Sequence, residues 1–243
     1  MKRNLLTVDW DFFFPMPTSD DPEWLLYDWG HAESMLYITM LWDIRATGFL
    51  MNDLPLPMVE GWQDWWGQFK LSKNPKLFVG ESHCSAVNTK VTHRINGEVW
   101  LFDAHHDCGY DEKTDRESVQ TGRWTCENWL IWYGRNLGLN NIHMRYPTHR
   151  TGAFEEEREP YLPDLDREFY DPQEETPVFD TIYVCRSGAW VPSWCDQEFD
   201  QWVADIPVKN YAWLGEVVKR KYDQEEVDER IEALKKLGKM SHS

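Results

Sequence analysis

Three short stretches set carboxylates and imidazoles directly after apolar runs: Leu6-Thr7-Val8-Asp9-Trp10-Asp11, Phe78-Val79-Gly80-Glu81-Ser82-His83 and Trp100-Leu101-Phe102-Asp103-Ala104-His105-His106-Asp107. In extended chain, residues i and i+2 share a face. Asp103 therefore points with His105, and Asp9 with Asp11. Asp107 returns to the same place if the chain turns at Cys108-Gly109. Acids gathered in a low-dielectric cleft repel one another and hold their protons unless a cation neutralises them. Carboxylates alone favour Mg or Ca, whereas carboxylates with two imidazoles suit Mn, Fe or Zn. Asp9, Asp11, His83, Asp103, His105 and Asp107 are thus the candidate ligands of one or two divalent ions. Asp-Ala-His-His-Asp is the most specific of the three stretches; an isolated Asp-x-Asp or a single His more often has a structural role.

Delivering these groups to one place requires a particular scaffold. The apolar runs predict strands over residues 5–8, 76–79, 98–102, 141–146 and 181–185. Helical spacing and breakers predict helices over 31–48, 58–69 and 125–137, and a charged helix over 216–239 with Val217, Val227, Ile231, Leu234 and Leu237 as its apolar stripe. Residues 14–22 read as a Pro- and Asp-rich loop, and 148–176, rich in acids, Arg and Pro, as a surface insertion. Strands separated by helices imply an α/β fold, a three-layer α/β/α domain around a mainly parallel sheet, in which ligands bind beyond the carboxyl ends of the strands. If the strands carrying the three stretches are neighbours, six ligand-type side chains meet at that edge.

Bulk properties narrow the function. A net charge of −17 over 243 residues argues against phosphate-rich nucleic acid or an anionic membrane as partner, and fits metal ions or cationic substrates. Fifteen Trp supply abundant core material. Trp62, Trp65, Trp66, Trp129 and Trp132 are most simply packing residues, with a stacking wall as the alternative. Five Cys, an odd number, suit reduced thiols in the cytoplasm. The first apolar run stops at Asp9, too early for a signal peptide or a spanning helix.

The segment Phe102-Asp103-Ala104-His105-His106-Asp107 is similar to the Asp-Ala-His-x-Asp signature of the arginase/agmatinase ureohydrolases. Val8-Asp9-Trp10-Asp11-Phe12-Phe13 resembles their Asp-x-Asp signature, here permuted to the N-terminal side, and Gly80-Glu81-Ser82-His83 the strand end that supplies a further histidine. The paired His105-His106 also resembles the deacetylase branch of that superfamily. Together with Cys185-Arg186-Ser187 before Trp190-Val191-Pro192, these stretches are most similar to a poorly characterised arginase-like family.

The resemblance implies an arginase/deacetylase-like fold and a hydrolase of C–N bonds, in guanidinium or acetamide substrates, working through a metal-held hydroxide. Mn is its first expectation, with Zn or Fe as alternatives. Asp9 and Asp103 would bridge two ions, with His83 and Asp107 completing one sphere and His105 and Asp11 the other. With a single ion, Asp103, His105 and Asp9 would be the ligands. His106 then stands as general acid or base, Tyr110 as an oxyanion donor and Glu81 as a further catalytic carboxylate. Glu127 would receive a cationic group and Arg186 a substrate carboxylate, or offset the acids. Cys84 and Cys108 flank ligands, as packing residues or metal-tuning groups. Two rivals use the same residues: a two-metal phosphodiesterase, and a non-catalytic acidic binding or inhibitor protein. A homo-oligomer is compatible with each.

Overall fold

The computed structural model describes residues 2–15, 17, 26, 33, 34 and 36–240. Among them seven segments are strands: β1 (Asn4–Asp9), β2 (Leu71–Gly80), β3 (Val99–Phe102), β4 (Ile142–Tyr146), β5 (Asp166–Phe169), β6 (Phe179–Cys185) and β7 (Tyr211–Leu214). They form one sheet in the order β5-β4-β3-β1-β6-β2-β7, with every pair parallel. Five of the strands cover the five expected from sequence; β5 and β7, at the two edges, were not expected.

Both sides of the sheet are covered, which is why its central strands read as unbroken apolar runs. Alternate residues divide between two cores. Leu6, Val8, Leu77, Val79, Trp100, Phe102, Ile182 and Val184 face one side, against Trp42, Phe199 and Trp202. Leu5, Phe78, Val99, Leu101, Tyr183 and Cys185 face the other, against Val91, Leu130, Ile131 and Tyr133. The first side is covered by α1 (Trp42–Met51) and α6 (Asp196–Ala204); the second by α2 (Thr89–Thr92) and α4 (Leu130–Leu137). The fold is therefore three-layer α/β/α. Completing it are α3 (Glu112–Thr121), α5 (Ala153–Glu156) and α7 (Gln224–Met240).

Several predicted boundaries move. Residues 58–69 are not a helix. Gly61 and Asp64 take left-handed φ values of 73° and 58°, leaving only a short 3₁₀ turn, Trp65–Gln68. Trp65 and Trp66 still reach the first core from this irregular segment, and the Trp66 indole N–H donates to the Trp202 carbonyl at 2.9 Å. The helix expected over 125–137 is regular only from Leu130 and stops at Gly138, where φ is 85°. The C-terminal helix starts at Gln224 rather than 216. Val217 is thus exposed outside it, while Val227 and Ile231 pack on Ala46 of α1. The helix expected over 31–48 includes a π-helical turn, Tyr37–Leu41, continuing into α1; its residues 31, 32 and 35 lie outside the described residues, as does most of the 14–22 loop. Residues 148–176 carry α5 and the edge strand β5, with Arg150, Ala153 and Leu165 buried.

Candidate metal centre

β1 and β3 run side by side, Val8 opposite Phe102, so Asp9 and Asp103 leave the sheet together. β2 is not their neighbour, because β6 lies between it and β1. His83 nevertheless arrives at the same edge. It lies three residues beyond β2, in a 3₁₀ turn His83–Val87 whose first turn is capped by the Ser82 hydroxyl. Asp11 is brought back by a second 3₁₀ turn, Trp10–Phe13, in which an Asp9 carboxylate oxygen accepts the Asp11 N–H at 3.2 Å. The turn at Cys108-Gly109 also forms, with left-handed φ at Asp107 (48°) and Gly109 (91°). A left-handed Asp is strained backbone of the kind found at functional sites. All six predicted ligands meet.

They divide into two sets. In the deep set, His83 Nδ1 lies 3.1 Å from Asp9 Oδ2, 3.0 Å from Asp103 Oδ2 and 3.3 Å from Asp107 Oδ2. In the outer set, His105 Nδ1 lies 3.0 Å from Asp11 Oδ2 and 3.7 Å from Asp103 Oδ1. Asp103 belongs to both, one oxygen to each. A single imidazole N–H satisfies only one acceptor, yet three carboxylates crowd His83 Nδ1. Donors about 2.1 Å from one ion stand about 3.0–3.4 Å apart at octahedral or tetrahedral angles, which is the spacing found around His83. The donor set therefore fits a divalent ion, and these buried Asp and His groups can hold one.

Supporting contacts fix the ligands' orientation. Thr7 Oγ1 sits 2.6 Å from His83 Nε2, and the His83 ring stacks on Trp129 with centroids 4.5 Å apart. The Trp129 indole donates to Asp107 Oδ2 at 2.6 Å. Such partners set tautomer and angle in metal sites. Neither Thr7 nor Trp129 was singled out from sequence as a supporter, since only tertiary proximity gives them that role.

Protonation follows from burial and crowding. Burial and the charges of Asp107, Asp11 and Asp9 hold the Asp103 carboxyl well above the ordinary carboxylate range, and burial with Asp11 does the same, less strongly, for Asp9. Burial also works to raise Asp11, but the His105 hydrogen bond and charge prevail and leave it low. Burial disfavours charge on His83 and His105; their carboxylate partners outweigh it and raise both well above the usual imidazole value. Without metal, protons perform the neutralisation.

The outer set opens on a cleft of about 410 Å³, in the size range of small-molecule sites. Its lining holds eight carboxylates (Asp9, Asp11, Glu33, Asp103, Asp107, Asp111, Glu127, Glu157) against two guanidinium groups, Arg150 and Arg158. Arg150 Nε donates to the Ala104 carbonyl at 2.7 Å. Trp190 lines the cleft with its ring 6.0 Å from that of His105, and Ser187 beside it has a left-handed φ of 54°. Glu33, missed from sequence because nothing local distinguishes it, is pushed up to about 8 by burial and by Asp9 and Asp107.

The remaining predicted residues fare differently. Glu127 and Tyr110 line the cleft. The Tyr110 hydroxyl is engaged, donating to Glu157 Oε1 at 2.9 Å and accepting the His106 N–H at 3.1 Å. His106 is fully buried and turned away: its Nε2–H donates to the Arg158 carbonyl at 2.9 Å, and its Nδ1 accepts the Cys108 N–H at 3.0 Å. With both ring nitrogens satisfied by backbone, it is a structural residue rather than a general acid or base. Glu81 and Arg186 are not in the cleft lining either. They pair with each other, and Arg186 also lies 3.7 Å from Asp196, so both leave the predicted catalytic and substrate-binding roles. Cys108 is buried in the second core.

Compared with family models, curated proteins and solved structures, the chain matches none. The chemistry of the site therefore rests on its own geometry. Among the described residues, no helix is long and apolar enough to cross a membrane.

Proposed function

We propose that the protein is a metal-dependent hydrolase of C–N bonds acting on a small cationic or acylated substrate, a guanidinium or acetamide compound, in the cleft above Asp103. The observation that carries this reading is the position of Asp103, whose two oxygens face separate imidazole–carboxylate sets. Two donor sets sharing one carboxylate match the needs of two neighbouring divalent ions.

When bound, the metal supplies a water acidified towards neutral pH and a Lewis acid for the developing charge. The chain's own residues do the rest. Thr7 and Trp129 hold His83 and Asp107 in orientation. Glu33 lies in the wall where a proton can be carried between water and a leaving amine. Glu127 and Glu157 present negative charge to a cationic substrate, and Trp190 narrows the space beside His105. The excess of acids over guanidinium groups disfavours a phosphodiester in the same cleft. Five unpaired thiols suit a cytoplasmic setting.

The test begins with elemental analysis of protein purified without chelators, followed by hydrolysis assays on alkylguanidines and N-acetylated amines. Stoichiometric transition metal and metal-dependent release of urea or amine are expected, both lost in Asp103→Ala. Folded protein that takes up no metal even when Mn, Zn or Fe(II) is added back overturns the proposal.

A further inference from the structure

A sulfur atom stands at the deep donor set. Cys185 ends β6, the strand between β1 and β2, in register with Asp9 on one side and Gly80 on the other. Strand parity sends Cys185, like Tyr183, to the second side of the sheet, where His83 also packs against Tyr183. The Cys185 sulfur, an Asp9 oxygen and a His83 nitrogen lie within 4.8 Å of one another, and all three residues are buried. An ion about 2.3 Å from sulfur and about 2.1 Å from nitrogen or oxygen spans up to about 4.4 Å between opposite donors. The group is therefore at, or close to, the span of a single ion.

We propose that Cys185 is a ligand of the deep ion, so that this position selects zinc or iron(II) over manganese while the outer position, formed by Asp11, Asp103 and His105, keeps an open place for substrate or water. This rests on the metal-centre reading above and deepens it. Thiolate is a soft donor and favours zinc and iron over manganese and magnesium, which prefer oxygen. The deep ion would then have His83, Asp9 and Cys185 as ligands, with Asp103 and Asp107 facing His83 Nδ1 at 3.0 and 3.3 Å. The outer set has three protein donors, the number typical of catalytic sites that retain an open position, and all three line the cleft, whereas His83 and Cys185 of the deep set do not. Ligation exchanges one bond for another without redox change. The Cys185 S–H, which in the metal-free chain donates to the Glu81 carbonyl at 3.2 Å, loses its proton to solvent as the sulfur–metal bond forms.

X-ray absorption on the full chain loaded with zinc alone reads the sphere directly, without reference to activity. A sulfur shell at about 2.3 Å is expected, retained in Cys84→Ser and Cys126→Ser and absent in Cys185→Ser. In competition between zinc and manganese, Cys185→Ser is expected to lower the zinc preference at least about tenfold. Full zinc loading with only nitrogen and oxygen neighbours in the wild-type chain overturns the sulfur ligand and leaves the metal centre standing. A sulfur shell that persists in Cys185→Ser overturns it equally. Failure of the folded wild-type chain to take up zinc, manganese or iron(II) overturns both readings.

Discussion

Two buried charge clusters lie at the carboxyl edge of the same sheet and obey different arithmetic. Around Arg186 and Arg220, two guanidinium groups meet two carboxylates, Glu81 and Asp196, and Arg220 also donates to the carbonyls of Gly188 and Val191. Around His83 and His105, four carboxylates meet two imidazoles, and the imidazoles are charged only when they carry extra protons. The first cluster balances its charges within the chain. The second is left with excess negative charge in a low-dielectric place, which folding tolerates only with bound protons or a bound cation. A balanced cluster braces the loop that carries Ser187 and Trp190; an unbalanced one has groups that could hold a cation.

That contrast can be broken by removing charge from each side. Arg220→Met leaves Asp196 short of its partner and two carbonyls unsatisfied, and the Arg220 side chain is fully buried. A loss of about 3–5 kcal/mol in denaturant unfolding is expected, with metal stoichiometry in the folded fraction unchanged. A large fall in metal content instead would mean that the two clusters are not separate. In the unbalanced cluster the dominant effect should be on affinity. Thr7→Val removes the partner of His83 Nε2 at nearly constant volume, and competition against a chelating dye should show metal binding weakened about 10–100-fold.

His106→Phe sharpens the comparison from outside both clusters. The ring keeps its stack on Tyr110 but no longer accepts from Cys108 or donates to Arg158. A stability loss of about 1–3 kcal/mol is expected from the orphaned backbone groups, with unaltered metal affinity. Loss of metal binding in that variant would return His106 to the site.

The gentlest effect is the response to pH. In the metal-free chain, Asp103, Asp9, Glu33, His83 and His105 all hold their protons more tightly than in unfolded chain. The native state thus binds more protons, and its stability falls as pH rises. For Glu33 the loss runs from the ordinary carboxylate range to about 8, and for the two His it continues above their unfolded value; Asp11, held low, opposes the trend. Melting temperatures of chelator-treated protein should therefore decline from mildly acidic to alkaline pH. Added metal, which replaces those protons, should rescue most at the alkaline end. A melting temperature that rises with pH in metal-free protein would contradict this charge accounting.

The sequence by itself was enough for the parallel, helix-covered sheet and for naming Asp9, Asp11, His83, Asp103, His105 and Asp107 as residues that follow strands at one edge of it. Unbroken apolar runs in the central strands require cover on both sides, and parallel strands send all their carboxyl ends to one edge. It was not enough for β5, β7 or α3, whose residues are too exposed or too polar to leave a periodic trace. Nor could it show that His106 turns away from the acids, because a turn decides that both of its ring nitrogens bond to backbone. Strand order, with β6 between β1 and β2, is likewise a tertiary fact, and it brings Cys185 beside Asp9 across 176 positions of chain. Glu33, Glu157, Thr7 and Trp129 gain their roles the same way. A side chain's type is local, but the company it keeps depends on packing between distant segments.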